Sequence, residues 1–447
     1  MAMLTYLNFD VLFAIASHIK TRRSLLSLAL TCRTFRDIVI PTFLFECLDL
    51  VDGAVEPELI QRVCHRIAAD GPAAGVAVRH LAISGSYLEQ HDVLPHMQNI
   101  QSVFMRLYGM DPLSRPRILT EVSTKINLRH LELHHCCASS LELLRGLRGL
   151  HTLALGLSPP LYDVTRESAL GNILLNSRDT LTSLTLGPCI WSLDVPSADP
   201  ADDADLIWPR VQHLNIYATP VDEECPFNLT RCFPSARSFN LVRTQRTWLA
   251  REYNRPFVSR LTSLQGAWED VKYVKDAGAN LRNATITERL NKDYNPNEYL
   301  SSSLECLNLT LERNSPQEYL GQVAFTCPKM KYLSLSVQVY GMSNFLERLD
   351  AAVRFLPGLP LECLCIEWVE YISDNDYPLI NEELKGCTKK LAELVSQLLP
   401  SLRVLSMEWQ DGGVHQQRAD DASQFQQISA EDGRDLVDYY KQQWMSV

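Results

Sequence analysis

The sequence predicts an α/β chain: three short helices first, then a long curved solenoid lined by a parallel sheet. Three observations carry this expectation. At 447 residues the chain exceeds what one ordinary compact core accommodates, so several domains or a repeat array is expected. A short template, apolar-x-x-Leu-x-apolar, recurs along most of its length. Stretches of helical periodicity separate the copies, and strand–helix–strand order makes successive strands parallel.

The template stands clearly at Val78–Ile83, Leu128–Leu133, Leu150–Leu155, Leu181–Leu186, Val211–Ile216, Leu304–Leu309, Met330–Leu335, Leu361–Ile366 and Leu402–Met407. Weaker copies occupy Ile100–Met105, Ala236–Leu241, Leu261–Leu264 and Leu281–Ile286. Successive copies lie roughly 20–30 residues apart, stretching to about 40 near the end, a period that suits one strand plus one helix or turn. Pro209, Pro234, Pro328 and Pro400 each stand two positions before a copy, where proline ends a helix and starts extended chain. Helix-like stretches fall between strands, as at Glu58–Ala69, Ser140–Leu147, Phe345–Leu356 and Leu391–Leu399. On these residues the chain resembles the leucine-rich-repeat family, which implies a solenoid over residues 51–409.

Residues 1–50 carry a different pattern. Asn8 can start a helix and Asp10 suits the positive end of its dipole. Val11, Leu12, Ile15, Ala16 and Ile19 then follow on one face. Ser24 can start a second helix bearing Leu25, Leu26, Leu28 and Ala29. Cys32 opens a third with Phe35, Ile38 and Val39, which Pro41 ends. Three such helices cannot hide all these side chains among themselves, and each leucine left in water forgoes about 1.5–3 kcal/mol, so a partner is implied.

The order Leu7-x-x-Asp10-x-Leu12, then Ile15, then Leu25-Leu26-Ser27-Leu28-Ala29-Leu30-Thr31-Cys32-Arg33-Thr34-Phe35-Arg36, resembles the F-box, particularly that of fungal proteins. Asn8 stands where that family usually has proline, and Phe35 where tryptophan is common; both keep the local chemistry. The resemblance implies docking on the Skp-type adaptor, and through it a cullin, of a Skp–cullin–F-box (SCF) ubiquitin ligase. Leu7, Val11, Leu12, Ile15, Leu25, Leu26, Leu28, Cys32 and Phe35 would make that contact.

Composition narrows the function. Apolar residues make up 46% and charged residues 21%, a folded profile, and the net charge of −11 argues against wrapping nucleic acid. No apolar run approaches the ~18 residues of a membrane span. The apolar run Val11–Ile19 is preceded by Asn8 and Asp10 and followed by Lys20, Arg22 and Arg23, the reverse of a secretory signal, so it is expected to be a helix of the mature chain. The chain has thirteen cysteines, an odd number without a small disulfide framework, which fits free thiols in an intracellular, cytoplasmic or nuclear setting. The glycosylation-type triplets at Asn228, Asn283 and Asn308 are then coincidental.

His134-His135-Cys136-Cys137 has the ligand types of a metal site, but adjacent residues cannot converge on one ion. The repeat explains Cys136 and Cys189 better: each stands three residues after a template leucine, where the side chain packs in the turn that follows the strand. Cys363-x-Cys365 has strand parity, not the spacing of a redox pair. Phosphate-binding glycine loops, nucleophile elbows and metalloprotease helices are missing from the sequence. The expectation is therefore a non-enzyme with no catalytic residue, metal or cofactor. An enzyme would need polar groups gathered from distant repeats.

With the template leucines inward, alternation turns the intervening residues onto the concave face. Phe104, Arg106, His130, Glu132, His134, His213, Tyr217 and Tyr332 are the candidates for binding a target protein. His80, Asn215, Asn240, Asn308, Glu367 and Glu408 share their parity, whereas Trp368 and Trp409 share that of the core. An acidic loop is expected near residues 194–206. A polar tail is expected over residues 410–447, mobile through Asp411–Gln427 and ending in a helix that starts near Ser429 and carries Leu436, Tyr439, Tyr440 and Trp444. Taken together, the resemblances imply the substrate-recognition adaptor of an SCF-type ligase. The alternative is a non-catalytic interaction scaffold unconnected with ubiquitin transfer.

Overall fold

A computed structural model describes residues 8–19, 22–40, 43, 45–50, 62, 64, 65, 67, 72–84, 93–107, 114–158, 161–193, 206–217, 228–242, 249–290, 294–311, 318–338, 349, 351, 353–369, 389–409, 412–418 and 425–445. Leu7 and the acidic stretch 194–205 lie outside the described residues. The chain divides into two units, residues 1–212 with 218–235, and residues 213–217 with 236–447. The architecture is α/β with mostly parallel strands, consistent with a leucine-rich-repeat arrangement.

The first unit opens with the three expected helices, α1 (Phe9–Ser17), α2 (Arg22–Ala29) and α3 (Arg33–Val39). Asn8 caps α1 by position, its carbonyl accepting from the amides of Val11 and Leu12, but its side chain makes no cap bond. Strands β1 (Cys47–Leu50), β2 (His80–Ser84), β3 (Ser102–Arg106), β4 (His130–Cys136) and β5 (Thr152–Leu157) follow. A short β6 (Tyr162–Val164) precedes β7 (Ser183–Leu186), and β8 (Cys189–Trp191) closes the series. β1 to β5 and β7 pair in parallel, and β6 pairs with β8 apart from them. The register is set by the template: Leu48, Leu81, Val103, Leu131, Leu153 and Leu184 stand side by side. All are buried, each contributing about 1.5–3 kcal/mol.

β1 corrects the expected boundary at residue 50, because the first repeat strand lies inside the segment assigned to the helices. Other predicted features hold. The four prolines sit in turns before their strands, and residues 62, 64, 65 and 67 are helical, as are 349, 351 and 353. Helix 138–142 is shorter than Ser140–Leu147 suggests and starts two residues earlier. Ser168 caps the helix Ala169–Asn176 by accepting from the Gly171 amide. Trp208, fully buried, donates its indole N–H to the Leu174 carbonyl and stacks on Phe233. Buried Lys125 donates to the Leu94 carbonyl at 2.8 Å, which satisfies a charge otherwise costly to desolvate.

The second unit runs β9 (His213–Tyr217), β10 (Ser238–Val242), β11 (Ser263–Gly266), β12 (Asn283–Leu290), β13 (Cys306–Leu311), β14 (Tyr332–Gln338), β15 (Cys363–Val369) and β16 (Val404–Trp409), all parallel. The side chains of Trp368 and Trp409 lie outside what is described. The glutamine-rich stretch expected to be mobile instead builds β17 (Gly412–Arg418) and β18 (Phe425–Ile428), which pair antiparallel onto β16. A connection of a few residues cannot cross over to a parallel neighbour, so the chain must turn back as a hairpin. A C-terminal helix, Ala430–Met445, follows. Ser429 starts it: its hydroxyl accepts from the Asp432 amide and donates to the Asp432 carboxylate.

Candidate functional site

Two surfaces collect the residues singled out from the sequence. The first is the helical N-terminus, where the pattern of apolar residues divides in two. Leu12, Ala16, Leu25, Ala29, Phe35, Ile38 and Val39 form a closed core, with Leu28 and Cys32 half-buried against it. Leu12, Leu25 and Phe35 therefore hold the three helices together and are unavailable as contact residues, a correction to the expected docking set. Helical periodicity places Leu12 and Val11 on neighbouring faces and cannot say which face the other helices cover. Val11, Ile15 and Leu26 remain on the outside. Three further residues outside the expected docking set are also exposed: Phe9 (58% exposed), Phe13 and Leu30 (76% exposed). Phe9 stacks on Phe13, and Phe13 leans on Phe43. Their only signal in the sequence is apolar character within an already recognised helix pair.

The second surface is the side of the strands opposite the leucines. In the first unit, β3, β4 and β5 bring five candidates together. Glu132 and His134 share this side of β4, and His134 Nε2 donates to the Glu132 carboxylate at 2.7 Å. Phe104 on β3 lies 5.2 Å from the His134 ring, centroid to centroid. The Arg106 guanidinium sits 5.7 Å from the Phe104 ring, within cation–π range. His130 pairs through Nδ1 with the Thr152 hydroxyl at 3.0 Å and meets His151 edge-on. Burial, helped by His151 and His80, holds the His130 pKa below its ordinary value, which favours the neutral ring.

A bulge in β4 disperses the His134-His135-Cys136-Cys137 run. His135 adopts φ 60°, a left-handed conformation unusual for a residue with a side chain. The strand register shifts there, between His134 and Cys136. His134 stays on the polar side, Cys136 turns into the core, and Cys137 caps the helix Ala138–Glu142. Cys189 is also buried, and burial foremost pushes its thiol up to about 12.

In the second unit His213 lies on β9, its pKa lowered by burial, and Tyr217 ends the same strand. Tyr332 is only 3% exposed. It packs with Cys306, Cys363, Cys365 and Val404 beneath Val437 and Tyr440 of the C-terminal helix. The expectation that Tyr332 offers itself to a target is thus corrected: the chain's own helix covers it. Asn308 donates to the Thr285 hydroxyl across the β12–β13 pair, and Ser336 to Glu367 across β14–β15.

No helix among the described residues is long and apolar enough to cross a membrane. No protein-family model matches the sequence, and no curated protein matches it. Among solved structures, the crystal structure of the Rad7 and Elc1 complex in yeast is similar over 79% of this chain and 91% of that chain, at 13% identity and a TM-score of 0.34.

Proposed function

We propose that the chain is the substrate receptor of an SCF-type ubiquitin ligase. Its N-terminal helices grip a Skp-type adaptor, and the polar face of its strands holds a target protein. The observation that carries this reading is the division of the N-terminal helices. They own a closed core, yet leave Phe9, Val11, Phe13 and Ile15 exposed on the first helix, Leu26 on the second and Leu30 just after it. Phe9 and Phe13 stand one turn apart on one side of the first helix, and Val11 and Ile15 one turn apart on another; exposed apolar pairs of this kind favour a protein partner. The order of residues in these helices resembles that of the F-box, and that resemblance is what points to a Skp-type adaptor. The Phe104–His134–Glu132 group with Arg106 supplies aromatic and charged side chains of the kind that anchor protein interfaces. On this reading the protein contributes proximity and no catalytic residue of its own.

Co-expression with the Skp-type adaptor followed by size exclusion tests the proposal. The wild-type chain is expected to co-elute with the adaptor. A Val11→Glu, Ile15→Glu, Leu26→Glu chain is expected to run alone with unchanged thermal melting, because these side chains lie outside the helical core. A wild-type chain that elutes without the adaptor would sink the idea. Any truncation used as a control must stop before Cys47, since β1 belongs to the repeats.

A further inference from the structure

The polar face changes character along the second unit. At their first position β9 to β12 present His213, Ser238, Ser263 and Asn283, whereas β13 to β16 present Cys306, Tyr332, Cys363 and Val404. Two residues on, the row Asn215, Asn240, Gln265, Thr285, Asn308 and Ser334 reaches Cys365. The first row thus turns from polar to apolar where the C-terminal helix lands, while the second ends on Ser406, bonded to His415; the five clustered side chains beneath that helix are buried.

The helix is held by one stripe. Val437 and Tyr440 are buried among the thiols, and Leu436 lies at their margin. The Tyr440 hydroxyl bonds Arg403 beside β16. Gly433, one turn earlier, lies so close to the His415 ring of β17 that a Cβ would overlap the imidazole. Asp432, Arg434, Asp435, Asp438, Tyr439 and Lys441 face solvent. The start of the helix is stabilised locally, by Ser429 and Asp432, and the strands below pair with one another without it. An element with a single buried stripe and its own cap can lift while its neighbours stay folded.

We propose that the face of β13 to β16 is a helix-binding site whose resident, exchangeable occupant is the C-terminal helix. The partner it takes is an amphipathic helix with the same stripe, Gly-x-x-Leu-Val-x-x-Tyr, as residues 433–440 present it. The glycine is needed because His415 leaves no room for a Cβ; the aliphatic pair covers the thiols and Val404; the tyrosine hydroxyl reaches Arg403. This inference rests on the reading that the polar face receives a partner, and it is independent of adaptor binding.

The test uses the full-length chain and a fluorescent synthetic peptide of residues 430–445. By hydrogen exchange on the wild-type chain, amides of the C-terminal helix are expected to exchange at least about tenfold faster than those of β13 to β16. The peptide is expected to bind a Tyr440→Ala chain one-to-one and at least about tenfold more tightly than wild type, where the site is occupied. It should also shield Cys306, Cys363 and Cys365 from maleimide labelling, and a peptide carrying Gly433→Leu should do neither. Helix and strand amides that exchange together would overturn the proposal, whether or not the variant folds. So would a peptide that fails to bind the opened chain, or that binds both chains equally. Adaptor capture, read separately on the same samples, shows whether the ligase reading fails on its own.

Discussion

Glu132 and His134, two residues apart on β4, are joined by a 2.7 Å hydrogen bond on the side of the strand that faces away from the leucines. Both side chains are nearly half exposed, so solvent screens the pair and its share of stability is small, under about 1 kcal/mol. Glu132→Gln should therefore leave the denaturant midpoint almost unchanged. The pair's neighbours Phe104 and Arg106 make it a recognition group instead. A Glu132→Gln, Arg106→Ala chain is expected to lose co-purifying target while retaining the adaptor, as quantified by mass spectrometry. Retention of the full set of partners would place the target elsewhere.

Phe35 and Leu26 separate folding from docking within the N-terminal helices. Phe35 is fully buried, and Phe35→Ala should cost about 3–5 kcal/mol locally, reducing helical circular dichroism and adaptor binding together. Leu26 is 47% exposed, and Leu26→Glu should abolish adaptor binding with no loss of helix signal. Equal effects of the two changes on melting would contradict this division.

His415 makes seating of the C-terminal helix depend on pH. Its ring is buried and bonded to Ser406 at 2.9 Å; burial lowers its pKa, the Arg434 charge adds to this, and Glu408 opposes it. With the docked pKa below the ordinary value of about 6.5, the undocked state binds more protons, so docking is full above that value and weakens as pH falls through it. Protection factors of the helix amides, which allow for the intrinsic slowing of exchange as pH falls, should drop between about pH 7.5 and 5.5. His415→Gln should abolish that dependence.

His135 stores backbone strain. A left-handed conformation costs a residue with a Cβ about 1–2 kcal/mol, a cost glycine escapes. The His135→Gly chain is expected to be equally or more stable in a urea titration, and His135→Val clearly less so. A marked loss in the glycine variant would mean that the His135 side chain, not the strand bulge, holds the turn.

Much of the architecture is legible in the order of residues. Template leucines such as Leu131, Leu153 and Leu333 declare themselves because burial on one side of a strand imposes a strict period. Proline at Pro209 or Pro400 marks the turn before a strand through its own ring geometry. β1 is not legible in this way, because Cys47-Leu48-Asp49-Leu50 is too short to show a period and lies at the end of a helical segment. Nor are β17 and β18, since residues such as Gln416 and Gln417 carry no strand pattern. Their extended form comes from pairing onto β16, and the burial of His415 from the helix that packs over it.

The sequence by itself determined which side of each template strand carries the buried leucines, and that the first helices carry more apolar surface than three helices can hide. Both follow from local periodicity, which needs only the spacing of residues along one element. Tertiary structure alone decided that Leu12 and Phe35 turn inward while Val11 and Leu26 stay outside, and that Tyr332 disappears beneath a helix about a hundred residues further along the chain. Such choices depend on which distant surface arrives to cover a face, and no residue's own neighbours in sequence contain that information.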